Sequence, residues 1–225
     1  MRVLVTAGPT REYLDDVRFL TNGSSGRMGY AVAAAAVAAG HDVALLTGPV
    51  ALQAPAGCEV CGFVSVDDLA RALDAHFPDC DALIMTAAVG DFRPERRVAG
   101  KIPRASGPVT VRLVPTEDLL AGLAGRKRAG QTIVAFAVEA PPRQQAEAKA
   151  RAEMAAKGAD LVVVNTPAAM GEADSDACIL SREGVWLPRA RRTKRRLAEE
   201  LVQRISEPPT DDDAHAASEG SRHAR

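Results

Sequence analysis

Residues 2–9, RVLVTAGP, decide the fold. A short β-branched run that meets Ala7-Gly8-Pro9 reads as a buried strand stopped by a turn. Working outward, a polar loop leads to residues 28–39, MGYAVAAAAVAA, an Ala-rich helix closed by Gly40. Residues 41–47, HDVALLT, then form a second strand ended by Gly48-Pro49. The same alternation predicts strands at 59–66, 82–87, 109–114, 132–137 and 160–165. Helices are expected at 67–76, capped by the Asp67-Asp68 pair, at 116–125 and at 143–157, closed by Gly158. Strands without polar alternation, interleaved with helices, imply a mostly parallel sheet covered on both faces, an α/β architecture. Residues 177–181 and 184–188 flank Arg182-Glu183 and read as a C-terminal hairpin that either extends the sheet or pairs with another subunit. An amphipathic helix at 193–205 closes a single domain spanning 1–205. Residues 206–225 contain no Val, Ile, Leu, Met or aromatic side chain and are expected to be a disordered tail.

At 225 residues the chain is long enough for one large domain with a real core. Its 47% hydrophobic and 25% charged residues are those of a soluble globular protein. The 28 Lys and Arg nearly cancel 29 Asp and Glu, so the net charge of −1 lacks the footprint of a nucleic-acid binder. The basic run 189–196 is accordingly read as a solvated face. The longest apolar-looking stretch, 30–39, falls far short of the roughly 20 residues that cross a bilayer. No secretory h-region follows Met1, so a cytoplasmic location and no membrane role are expected. Four cysteines do not make a disulfide framework. Cys58 and Cys61 read as CxxC, but within a strand this spacing sends the two sulfurs to opposite faces, so no metal or redox role is expected. Four His residues, two of them in the tail, leave no His-centred site.

In such a sheet, ligands bind beyond the carboxyl ends of the strands, and the loops there are unusual. The first runs from Gly8 through Asn22-Gly23-Ser24-Ser25-Gly26 into a helix N-terminus, where free amides and the positive dipole end favour an anion. Its GxxGxxG, Gly23 to Gly29, suggests a nicotinamide dinucleotide. Against that, 14 residues separate Gly8 from Gly23, and the second strand ends in Thr47-Gly48-Pro49 without a ribose-binding acid. A glycine-rich turn that only lets the helix pack closely stands as a further alternative. The loop after the 82–87 strand carries Asp91 and, ten residues on, Lys101. That pair suits a nucleoside triphosphate, the carboxylate holding a metal or ribose and the ammonium neutralising transferred charge. Taken alone, each could equally be a solvated loop residue.

Assembled, these loops resemble the phosphopantothenoylcysteine synthetase family, the phosphopantothenate–cysteine ligases of coenzyme A biosynthesis. The resemblance covers roughly residues 2–205. It rests on residues 5–12 (VTAGPTRE), 17–29 (VRFLTNGSSGRMG), 87–93 (AAVGDFR), Lys101 and 135–139 (AFAVE). It implies a three-layer Rossmann-like fold and a reaction in two halves. The carboxylate of 4′-phosphopantothenate attacks the α-phosphate of CTP, giving an acyl-cytidylate and pyrophosphate, and the amine of cysteine then displaces CMP. By resemblance Lys101 serves the first half and Asn22 the second, its amide holding the acyl-cytidylate carbonyl and the developing oxyanion. Arg18, Asn22 and Ala88 match the phosphopantothenate side. Met85, Thr86, Ala87, Asp91, Lys101, Phe136 and Lys157 match the nucleotide pocket, with Gly8, Ser24, Ser25 and Gly26 in the anion-binding loop. Mg²⁺ and a homodimer in which a subunit contact helps complete the site are implied, and ATP remains open as the nucleotide.

The sequence also departs from the family pattern. Pro103 occupies the second position of a Lys-x-Lys-Lys cluster, and Glu153 stands where a basic residue commonly lies four before Lys157. Residues 115–118 read Pro-Thr-Glu-Asp, and no Asp follows Asn165. With no flavin-dependent decarboxylase ahead of Met1, that pathway partner is expected on a separate chain. The rival functions are an NADPH-binding reductase and a nucleotide-binding homologue without ligation.

Overall fold

The structure, a computed structural model, describes residues 1–104, 107–139, 143–169, 172–182 and 184–207. Its centre is an eight-stranded sheet built from β1 (Arg2–Ala7), β4 (Asp42–Thr47), β5 (Cys58–Gly62), β6 (Ala82–Met85), β9 (Thr132–Val138), β10 (Leu161–Asn165), β11 (Asp174–Ser181) and β12 (Val185–Thr193). The order across the sheet is β12-β11-β10-β9-β6-β1-β4-β5. All neighbours are parallel except β10/β11 and β11/β12, so the hairpin extends the sheet antiparallel. The intervening helices are α1 (Arg27–Ala38), α2 (Val66–His76), α3 (Leu119–Ala124), α4 (Arg143–Ala156) and α5 (Lys194–Ser206).

Strand periodicity sorts the core into two layers. Val3, Val5 and Ala7 of β1 face α1 and α5, among Val32, Ala36, Leu197 and Leu201. Leu4 faces the other side, with Leu69, Leu73, Leu123 and Met154 of α2, α3 and α4. The same rule divides the CxxC: Cys58 packs into the first layer and Cys61 into the second. Among the described residues no helix is long and apolar enough to cross a membrane.

Several expected elements differ. The polar loop after β1 contains a hairpin, β2 (Arg11–Tyr13) paired with β3 (Phe19–Thr21), whose strands are too short to show periodicity. Helix α2 begins one residue earlier than expected and is capped by Ser65, not by the Asp pair. The Ser65 hydroxyl accepts from Asp68 N (3.1 Å), and the Asp68 carboxylate accepts from Ser65 N (2.8 Å), a capping box. The strand expected at 109–114 is not in the main sheet. Only β8 (Leu113–Pro115) forms, pairing antiparallel with β7 (Phe92–Pro94) as a separate arm. Its β-branched residues follow a strand pattern, but Val109 is 53% and Val111 41% exposed, so pattern and burial part company there. The tail expectation falls, beyond Glu207, outside the described residues.

The basic run 189–196 is largely consumed internally. Arg192 and Arg196 both pair with Glu200 (3.0 and 2.8 Å), Arg195 with Glu199 (2.9 Å) and Arg191 with Asp174 (3.1 Å).

Candidate active site

The chain runs from β1 outward to β4 and β5, then returns across β1 to β6, so the sheet's switch point lies between β1 and β6. A cavity of about 630 Å³ opens there at the carboxyl ends of β6, β9 and β10. This is the crevice where an open α/β sheet binds its ligands.

One wall is the entry to α1. Gly26, at φ +75°, is its N-cap, and Ser24, Ser25 and Gly26 line the cavity. Gly29 is where the helix meets the sheet: an added Cβ would lie 2.5 Å from both Ala7 Cβ and Thr86 Oγ1, so only glycine lets α1 sit this close. Two glycines of the GxxGxxG thus serve the turn and the packing.

The opposite wall, Met85 to Val89, is stitched to β1. Ala87 N donates to Thr6 Oγ1 (3.0 Å), Ala88 N to Gly8 O (2.9 Å) and Thr10 N to Ala88 O (3.2 Å). Asn22 bridges the walls: its Nδ2 donates to Ala88 O (3.2 Å) and Val89 O (2.9 Å). Both amide hydrogens are spent, and a flipped amide would set its oxygen against two carbonyls. Oδ1, which accepts no hydrogen bond among the described residues, is what remains for a ligand. The side chain therefore offers an acceptor, where the sequence reading expected a donor to an oxyanion.

Asp91, Phe136 and Lys157 complete the expected lining, Lys157 paired with Asp118 at 3.4 Å. Gly8, Arg18 and Lys101 do not line the cavity. Gly8, at φ +79°, makes the turn out of β1. Arg18 donates to Asp15 (3.1 Å) and to Ile102 O (3.2 Å), tying the exposed segment that carries Lys101 to the β2–β3 turn.

Among the lining residues not expected at the site are Glu139, Lys149, Asn165 and Lys194. Lys149 donates to Glu139 (2.8 Å) and pairs with Glu153 (3.6 Å), and its hydrogen bond to the Glu139 carboxylate raises its pKa. Positions 149, 153 and 157 share one helical face. A cation thus stands one turn before Glu153 on that face, held between Glu139 and Glu153. Lys194 hid inside the basic run, although it continues the apolar stripe Leu197, Ala198, Leu201, Ile205. Only 9% exposed, it donates to Ala169 O (2.8 Å) and Glu172 O; burial, then the charge of Arg27, lowers its pKa.

Beside this cavity lies a smaller one of about 150 Å³ that shares Asn22 and Asp91 with it. Glu12, on its wall, is 8% exposed, and Oε1 accepts from Val66 N at 2.8 Å. Burial raises its pKa, against the opposing bond from Val66. No group of three metal-ligating side chains occurs among the described residues.

The chain is 40% identical over 218 residues to the coenzyme A biosynthesis bifunctional protein CoaBC of Mycobacterium tuberculosis, covering 91% of this chain and 51% of that protein. With the Bacillus subtilis protein of the same name it shares 44% over 170 residues, 75% of this chain and 41% of that one. It thus spans about half the length, or less, of these curated relatives. Among solved structures, the C-terminal domain of a coenzyme A biosynthesis bifunctional protein CoaBC superposes with a TM-score of 0.76 at 34% identity, over 91% of this chain and 93% of that one. The DNA/pantothenate metabolism flavoprotein from Streptococcus pneumoniae shares the fold, with a TM-score of 0.79 at 22% identity over 92% and 98%. Residues 1–208 match the family model described as the DNA/pantothenate metabolism flavoprotein C-terminal domain, and the chain belongs to that family.

Proposed function

We propose that this chain joins 4′-phosphopantothenate to L-cysteine in coenzyme A biosynthesis, using CTP. The observation that carries this reading is the gathering of Asn22, the Ser24–Gly26 turn, the Met85–Ala88 wall, Asp91 and Phe136 around one cavity at the sheet's switch point. In the first half, a phosphopantothenate carboxylate oxygen bonds to the α-phosphorus, the bond to the β-phosphate breaks, and pyrophosphate leaves. In the second, the neutral amine of cysteine bonds its nitrogen to the acyl carbon, CMP leaves with the bonding pair, and the nitrogen gives up one proton to solvent. The N-terminus of α1 suits the phosphates, Phe136 the base or ribose, and Lys101 the charge on the α-phosphate once the nucleotide is bound. Mg²⁺ arriving on a triphosphate needs only one or two protein carboxylates, and Asp91 is suited to that part.

A thermal-shift comparison of CTP, ATP and NADPH, each with Mg²⁺, tests the nucleotide, because a ligand that binds only the native state raises the melting point. Stabilisation by NADPH alone would refute the reading. Lys101→Gln is expected to slow pyrophosphate release by about 10²- to 10³-fold. Asn22→Asp is expected to keep that release and lose amide formation.

The homodimer, the cytoplasmic setting and a decarboxylase as pathway partner belong to the same proposal. Phe92 and Leu113 stand exposed on the β7–β8 arm, and Val109 and Val111 on the segment that leads into it, apolar surface suited to burial by a second subunit. The edge strand β12 instead presents arginines, which discourage edge pairing. The arm is thus a better dimer contact than residues 177–188. Sedimentation of Val111→Glu against the parent tests it, a dimer unaffected by the substitution arguing against the arm.

A further inference from the structure

We propose that the smaller cavity is the seat of the amino-acid substrate, its ammonium group received by Glu12 and Asn22. This rests on the ligase reading and adds where the second substrate binds.

The cavity is built by the β2–β3 hairpin. Glu12 and Leu20 are directly opposed in its register, so their side chains leave the same face. At ~30 Å³ per water, 150 Å³ holds about five waters, room for a small amino acid and far too little for a nucleotide. Leu20 and Phe92 give it an apolar side that suits a polarisable thiol.

Its polar side is poised for a cation. Glu12 is more than nine-tenths buried and receives one backbone hydrogen bond, while its second oxygen accepts none among the described residues. It has no ion-pair partner there either, and Arg93, whose charge acts on it, is paired with Asp67 at 2.8 Å. A buried carboxylate in this state is costly unless paired. An ammonium group supplies both the opposite charge and the missing donors. Asn22 Oδ1 adds an acceptor on the boundary with the large cavity. Thr10 Oγ1, which accepts from Gly90 N (2.9 Å), keeps its own proton to donate to the amino acid's carboxylate. Because Asn22 and Asp91 belong to both cavities, an amine seated here abuts whatever acyl group lies beside Asn22.

Glu12→Gln removes the charge but keeps an acceptor for Val66 N, and Leu20→Trp fills the space. Each is compared with the parent in two assays: pyrophosphate release from CTP and phosphopantothenate without cysteine, and amide formation against cysteine concentration. Pyrophosphate release is expected to stay within twofold, while the half-saturating cysteine concentration rises about 10- to 100-fold. An unchanged cysteine dependence overturns the assignment, as does an equal loss of both half-reactions in both variants. If the parent itself releases no pyrophosphate with any nucleotide, the ligase reading fails first and this occupant with it.

Discussion

The two ends of the β2–β3 hairpin hold buried carboxylates three residues apart, and their surroundings push them in opposite directions. At the turn, Asp15 is wholly inaccessible yet saturated. It accepts from Val17 N (2.8 Å), Arg18 N (2.6 Å) and Ile102 N (3.1 Å), and pairs with the Arg18 guanidinium. Burial alone would raise its pKa, but the amides of Arg18, Val17 and Ile102 and the guanidinium together hold it below the usual range. On the strand, Glu12 has one amide and no cation, so burial dominates and its pKa rises. Burial is common to both, and the number of donors differs. The first carboxylate is a clasp whose valences are filled from within the fold; the second is left for something the fold does not supply.

The comparison breaks most visibly at Asp15. Asp15→Ala leaves the turn amides, Ile102 N and Arg18 without their shared acceptor and unfastens the segment carrying Lys101. Misplacement of a reacting group by about 1 Å can cost about 10²-fold, and a loss of that size is expected in pyrophosphate release. The same variant should alter the acid limb of stability. A carboxylate with a lowered folded-state pKa stabilises at neutral pH, and that contribution disappears as pH falls below the ordinary 3.8 through the folded value. Melting temperatures of parent and variant should therefore converge at low pH. A constant gap across pH would show that the charge of Asp15 is not what holds the turn.

What the sequence discloses of this architecture follows burial. β1, β4, β6, β9 and β10 are covered on both faces, so their apolar runs carry no competing periodicity and the parallel sheet is legible from them. The large cavity is legible because its walls are loops at strand ends, where glycine and small hydroxyls stand out from the apolar strands. The β2–β3 hairpin is not, because three residues per strand show no period, and Glu12 stands out only as the last residue of the 5–12 motif, with no role attached to it. Residues 109–113 mislead for the opposite reason, a strand-like pattern left on the surface. Lys194 hides among Arg192, Arg195 and Arg196, whose partners Glu199 and Glu200 lie on the same helix, whereas its own partners lie more than twenty residues away.

Lys194 sharpens the contrast as the cationic counterpart of Asp15, a buried charge bonded to Ala169 O and Glu172 O. Lys194→Met preserves length and apolar contact but leaves two carbonyls without their donor. An unsatisfied buried acceptor costs about 1–3 kcal/mol, and relief from burying the ammonium offsets part of that. A net loss of about 1–2 kcal/mol is expected, roughly 2–8 °C in melting temperature for a chain of this size. A variant as stable as the parent would mean that water reaches both carbonyls.

The smallest effect, and the sharpest in sign, belongs to Glu12. Its folded-state pKa lies above the unfolded value, so the folded chain binds its proton more tightly and the ionised carboxylate costs stability at neutral pH. That cost fades as pH falls through the raised folded value and is gone once pH is below the ordinary 4.5. Glu12→Gln, which keeps an acceptor for Val66 N and removes the charge, should therefore melt at or slightly above the parent temperature at pH 7. The difference, opposite in sign to that of Asp15→Ala, should likewise shrink on acidification. The same protein should be the one that handles cysteine poorly. A stabilised variant with impaired use of cysteine fits a carboxylate kept for a ligand at the fold's expense. A marked drop in melting temperature at pH 7 would instead make Glu12 a second clasp, with the bond to Val66 outweighing its burial, and would remove the distinction between the two ends of the hairpin.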